Sequence, residues 1–79
     1  MPRYFFHLHN DVDVEDREGK DFADLRAACE HATELARFEF AESAKERARI
    51  KLSHHIDIED SSGVVLATIT FGDAVRVED

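Results

Sequence analysis

The chain has 79 residues, a length that holds one small domain with a thin hydrophobic core. Its 18 acidic and 10 basic residues give a formal net charge of −8, which argues against nucleic acid and anionic membranes as partners. A single cysteine, Cys29, excludes an intramolecular disulfide, and the Met1-Pro2-Arg3 opening without an apolar signal region predicts a cytoplasmic protein.

The chain is predicted to start with a strand at Arg3–His9. Every second residue there is large and apolar, the period of two that is typical of a strand with unlike faces. A turn at Asn10-Asp11 leads to residues 12–15, which alternate again and predict a short second arm. Residues 16–23, rich in charge, are predicted to form a loop.

One long helix is predicted from Asp24, its N-cap, to about Arg49. Its apolar residues recur at steps of three and four and form one stripe. The stripe consists of Leu25, Ala28, Cys29, Ala32, Leu35, Ala36 and Phe40. We therefore expect the helix to cover one face of the sheet.

Two more strands are predicted near residues 55–59 and 64–71, joined by the turn sequence Asp60-Ser61-Ser62-Gly63. Because residues 64–71 are apolar on both faces, this strand is predicted to lie in the middle of the sheet. The sequence thus predicts a single α+β domain in the order β-(β)-α-β-β. Its three- to four-stranded, mostly antiparallel sheet packs one face against the long helix.

The predicted core combines the apolar sides of these elements, with Phe6 and Ile69 the most costly residues to truncate. It consists of Tyr4, Phe6, Leu8, Leu25, Ala32, Leu35, Ala36, Phe40, Ile56, Ile58, Val65, Ile69 and Phe71.

Five segments carry a resemblance to a family of known sequence. They are Met1-Pro2-Arg3-Tyr4-Phe5-Phe6-His7-Leu8, Glu18-Gly19, Asp24-Leu25, Ile56-x-Ile58-x-Asp60-x-x-Gly63 and Phe71-x-Asp73-Ala74. In these the chain resembles an uncharacterised family, a domain of unknown function, of small alphaproteobacterial proteins with an M-P-R-Y-aromatic-F-H-L opening. That family has no established activity, so the resemblance implies a compact α+β fold and a cellular location but no functional residue.

A second resemblance, limited to the order of elements, is to antitoxins of the HicB type. These begin with an acidic hairpin followed by an Ala-rich helix, but their Pro-Asp-Leu-Pro-Gly-Cys stretch is absent here. This resemblance and the charge of −8 leave open an acidic neutraliser of a basic partner.

Four residues are candidate metal ligands. His7 and His9 share one face of the first strand, and His55 and Asp57 share one face of a later strand. With the 64–71 strand between them, the two pairs would lie about 9–10 Å apart. We therefore favour solvent-facing polar residues on a half-buried sheet and keep a histidine metal site as the alternative.

No catalytic or cofactor-binding apparatus is predicted. Cys29 lies on the apolar stripe of the helix, where we expect a packing residue. Asp11, Asp13 and Glu15 mimic the start of a calcium loop, but Asp16 stands where its sharp turn needs glycine. We therefore expect a protein that is not an enzyme and that takes no cofactor.

Either of two apolar surfaces is predicted to meet a partner, the second sheet face with Phe5 and Leu66 or a patch around Phe38. Once Phe6 and Val65 point toward the helix, Phe5 and Leu66 point away from it. Phe38 lies on the helix far from the apolar stripe. The leading hypothesis is therefore a non-enzymatic interaction module, most simply a homodimer, with metal binding and an antitoxin-like role as alternatives.

Overall fold

The computed structural model describes residues 2–10, 13–48, 51–76 and 78, and it confirms the α+β fold. A five-stranded sheet of antiparallel pairs carries one long helix and a short second helix. In chain order the elements are β1 (Arg3–His9), β2 (Asp13–Val14), β3 (Lys20–Asp21), α1 (Leu25–Arg47), β4 (His55–Glu59), β5 (Val65–Thr70) and α2 (Phe71–Ala74). Neither helix in the described chain is long and apolar enough to cross a membrane.

The strand order is β2-β1-β4-β5, with β3 also paired to β1. The prediction that the 64–71 strand is central is therefore wrong, because β5 lies at the edge and β4 is between β1 and β5. In β4, Ile56 and Ile58 are only 2% and 0% exposed. A central antiparallel strand needs only one apolar face when the other is solvated. Apolar residues on both sides of β5 therefore did not indicate its position in the sheet.

The predicted loop at 16–23 contains a strand that the sequence did not reveal. In β3, Asp21 pairs with Arg3 and Lys20 with Tyr4. The sheet therefore has five strands, whereas three or four were predicted. A two-residue strand is too short to show a period of two. The short arm predicted at 12–15 is present as β2, with residue 12 outside the described residues.

The long helix begins as predicted. The side chain of Asp24 accepts a hydrogen bond of 2.9 Å from the backbone N–H of Ala27 and so caps α1. The helix ends at Arg47, slightly before the predicted end, and Ala48 follows with a left-handed φ of 54°. The N–H of Ala48 donates to the carbonyl of Ala44 at 3.1 Å, which satisfies one of the last carbonyl groups.

The core lies between α1 and one face of the sheet. Three alanines of α1, Ala28, Ala32 and Ala36, are fully buried, and such small residues let the helix lie close to the strands. The largest fully buried side chains are Phe71 and Ile58. Leu8, Leu25, Leu35, Phe40 and Ile69, all predicted core residues, are partly buried and pack against this cluster.

Val65 is the exception to the predicted core. The register of β4 and β5 shifts at Ile58 and Glu59, so that Ile58 is opposite Ala67 but Glu59 is opposite Val65. Residues directly opposite in an antiparallel pair lie on the same face, which places Val65 on the side away from the core. Accordingly it is 50% exposed.

Candidate functional site

The sheet face turned away from α1, here called the outer face, carries most of the polar residues of the strands. Strand register defines it, because its residues lie opposite one another across β1, β4 and β5. Its members are Phe5, His7 and His9 on β1, His55, Asp57 and Glu59 on β4, and Val65, Thr68 and Thr70 on β5.

The four candidate metal ligands are brought together on this face. Because β1 and β4 are neighbours, His9 is directly opposite His55, and His7 is directly opposite Asp57. The predicted separation of the two pairs by an intervening strand is therefore wrong. The rings of His9 and His55 stack, with centroids 4.8 Å apart and planes inclined by 28°.

His9, His55 and Asp57 form the histidine–aspartate cluster, in which one ligand atom from each lies within 4.8 Å of the others. His9 Nε2 is 3.1 Å from Asp57 Oδ2, and His55 Nε2 is 3.9 Å from Asp57 Oδ1. The hydroxyl of Thr68 donates to Asp57 Oδ1 at 2.7 Å and holds the carboxylate from β5. Two imidazoles and a carboxylate are a donor set for divalent transition metals.

His7, the remaining candidate, is committed to other partners. Its Nδ1 accepts the backbone N–H of Asp16 at 3.1 Å, and its Nε2 lies 3.4 Å from Glu59 Oε2. The N–H bond occupies the lone pair of Nδ1. His7 therefore supports the loop after β2 and is separate from the histidine–aspartate cluster.

Asp16, which the sequence analysis considered only because a calcium loop needs glycine at its position, has a structural role. Its carboxylate accepts backbone N–H groups from Phe6, Glu18 and Gly19, each at 3.1 Å. Burial raises the pKa of Asp16, but the hydrogen bonds from these amides, with a smaller electrostatic contribution from His7, outweigh it, so the pKa lies below its ordinary value. The Asp16-x-x-Gly19 spacing, typical of a side-chain-stabilised turn, was the available signal.

His31 is a second residue whose place the sequence did not indicate. Its ring packs edge-on against Phe6, with centroids 5.0 Å apart, and lies 5.1 Å from the ring of Phe22. Burial in this aromatic group, followed by the positive charge of Lys20, lowers the pKa of His31. The neutral ring thus serves as a packing group at the edge of the core.

The predicted interaction residues lie in three different settings. Phe5 is on the outer face and is half-covered, since its ring lies over Gly19, where an added Cβ would come within 2.9 Å of it. Leu66 is 39% exposed on β5, next to Val65, and Val64 just before the strand is 54% exposed. Phe38 is 56% exposed on α1. Exposed apolar surface is therefore concentrated at the start of β5.

Comparison with known proteins identifies the family of this chain. No curated protein and no solved structure matches the chain. The model of a family described as Domain of unknown function (DUF6894) matches residues 3–72, which include all five strands and both ends of α1. The chain therefore belongs to the DUF6894 family, a domain of unknown function.

Proposed function

We propose that the protein is a non-enzymatic interaction module that binds a second copy of itself through the free edge of β5. The observation that carries the proposal is the chemistry of this edge. Among the described strands β5 pairs only with β4, so its other side has backbone groups available for a partner strand. Residues 65–70 contain no charged residue and no proline, the features that ordinarily protect an edge.

Exposed apolar side chains accompany this edge. Val64, Val65 and Leu66 are 54%, 50% and 39% exposed, and all three lie together at the start of β5. Single exposed apolar residues are ordinary on a protein surface, but a contiguous group beside an open strand supplies both hydrogen bonds and apolar contact to a partner.

A second copy of the chain is the partner that fits. An antiparallel pair of identical strands about a two-fold axis makes every contact twice, so one suitable strand supplies both sides of the interface. Charge favours the same location. The chain is 35% charged and carries −8, yet residues 61–72 contain no charged side chain, so two copies meet here with the least repulsion.

The experiment is a Leu66→Lys substitution followed by sedimentation equilibrium and circular dichroism. We expect the parent to be a dimer and the variant to be a folded monomer, because a lysine buried in an apolar contact without a partner is strongly unfavourable. Val14→Lys is the matched control, since Val14 is 53% exposed on β2, away from β5, and its replacement should leave the dimer intact.

Three results would contradict the proposal. A parent chain that is monomeric at high concentration removes the homodimer. A dimer that persists in the Leu66→Lys variant would mean that the two copies meet at another surface. Phe38→Lys is then the next substitution to test. A Leu66→Lys chain that unfolds assigns Leu66 to the monomer core instead of an interface.

A further inference from the structure

We propose that His9, His55 and Asp57 form a binding site for a divalent transition-metal ion of the Zn²⁺ or Ni²⁺ class. This site is separate from the β5 edge and does not depend on self-association. The three residues come from the paired strands β1 and β4, and one ligand atom from each lies within 4.8 Å of the others. Strands hold ligands more rigidly than loops do, which favours a defined site.

The orientation of both imidazole rings supports a metal site. His9 Nδ1 is 3.1 Å from Asp13 Oδ1, and His55 Nδ1 is 3.3 Å from the carbonyl oxygen of Ser53. Carboxylate and carbonyl oxygens only accept hydrogen bonds, so each Nδ1 carries the proton in these contacts. The Nε2 atoms, which hold the lone pair when a ring with a protonated Nδ1 is neutral, are the two that face Asp57. Metal-ligating histidines have this arrangement, with the second nitrogen donating to an oxygen.

Asp57 has an outer partner as well. The hydroxyl of Thr68 donates to its Oδ1 at 2.7 Å, which fixes the carboxylate between the two rings. All three proposed ligands are thus oriented by a second group: His9 by Asp13, His55 by the Ser53 carbonyl, and Asp57 by Thr68. Such outer partners are typical of metal-ligating side chains.

Tetrahedral coordination requires the cluster to close slightly around the ion. Ligand bonds of about 2.0–2.2 Å put neighbouring ligand atoms about 3.3–3.6 Å apart. His9 Nε2 is 3.1 Å from Asp57 Oδ2, whereas His55 Nε2 is 3.9 Å from Asp57 Oδ1, and the three ligand atoms lie within 4.8 Å of one another. The His55 side chain is 35% exposed, so its ring has room to rotate toward the ion. Three protein ligands leave the fourth position to water. The nitrogen donors favour Zn²⁺ or Ni²⁺ over Mg²⁺, which prefers oxygen ligands.

The test is titration of the untagged full chain with Zn²⁺ and, separately, Ni²⁺, measured by calorimetry and by histidine ring ¹⁵N NMR. We expect one ion per chain, with shifts at Nε2 of His9 and His55 and no competition from Mg²⁺. Replacement of a ligand, His9→Gln or His55→Gln, should weaken binding by about 100-fold or more, and Thr68→Val by about tenfold. The ion should raise the melting temperature of the parent but not that of His55→Gln.

His7→Asn is the matched control, because the asparagine oxygen can still accept the Asp16 N–H while the imidazole is lost. It should bind the metal as the parent does, and so should Leu66→Lys, which tests the β5 edge alone. The proposal is overturned if neither ion binds at stoichiometric concentration, if His9→Gln or His55→Gln binds like the parent, or if His7→Asn weakens binding as much as they do. Circular dichroism of each variant ensures that lost binding is not lost folding.

Discussion

At the scale of single residues, Asp16 connects the first strand to the loop that follows β2. Its carboxylate binds the amide of Phe6 on β1 and the amides of Glu18 and Gly19 in the loop. Gly19 takes a φ of +70°, and a Cβ there would come within 2.9 Å of the Tyr4 carbonyl oxygen. One carboxylate and one glycine therefore let the loop lie close enough to β1 for β3 to pair with it.

The Asp16→Asn substitution should destabilise the protein by about 1–3 kcal/mol at pH 7, because hydrogen bonds to a charged acceptor become bonds to a neutral one. The effect should depend on pH. The pKa of Asp16 is lowered in the folded state, so its stabilisation is present above the unfolded pKa and is lost as pH falls through the folded value. Urea unfolding from pH 7 to below about pH 4 should show the difference between parent and variant shrinking.

Glu46→Gln, an exposed change near the end of α1, is the control and should shift stability by less than about 0.5 kcal/mol. A gap between the parent and Asp16→Asn that stays constant into acid would mean that the charge of Asp16 does not stabilise the loop.

At the scale of elements, the sequence predicted what local periodicity encodes. The alternation in β1 and β4 and the three- and four-residue spacing in α1 reflect which side of each element is buried, and these predictions are confirmed. Strand order depends on pairing between distant segments and leaves no local periodic signal. The register shift beside Glu59 was equally hidden, and it moved Val65 from the predicted core to the surface.

The central position of β4 changes which truncation should cost most. Ile58 is fully buried, whereas Ile69 on the edge strand β5 is only partly buried. Ile58→Ala should lower the free energy of unfolding by about 2–5 kcal/mol, and Ile69→Ala by roughly half as much, since less buried surface is lost. Urea unfolding of both variants measures the two values under the same conditions.

Because both substitutions remove the same atoms, each variant is the control for the other. Equal losses, or a larger loss for Ile69→Ala, would mean that β5 is as deeply packed as β4.

At the scale of the whole molecule, candidate metal-binding residues are easier to predict from sequence than the group of them that meets at one site. His7, His9, His55 and Asp57 were identified from alternation alone, but only the contact between β1 and β4 joins three of them. The exclusion of His7 depends on its bond to Asp16, a loop contact without sequence periodicity.

The distribution of charge, by contrast, is visible directly in the sequence, since residues 61–72 are neutral within a chain of net charge −8.

This distribution makes the salt dependence of self-association a test of the interface. Two copies that each carry −8 repel one another, and the uncharged β5 edge offers no ion pairs to compensate. Raising the ionic strength from about 0.01 M to about 0.15 M shortens the screening length from about 30 Å to about 8 Å. Sedimentation equilibrium should therefore show dimerisation tightening several-fold over this range. The Leu66→Lys variant, expected to be a monomer, should stay so at both ionic strengths. Weaker association at the higher ionic strength would show that charged contacts hold the copies together, which the β5 edge cannot supply.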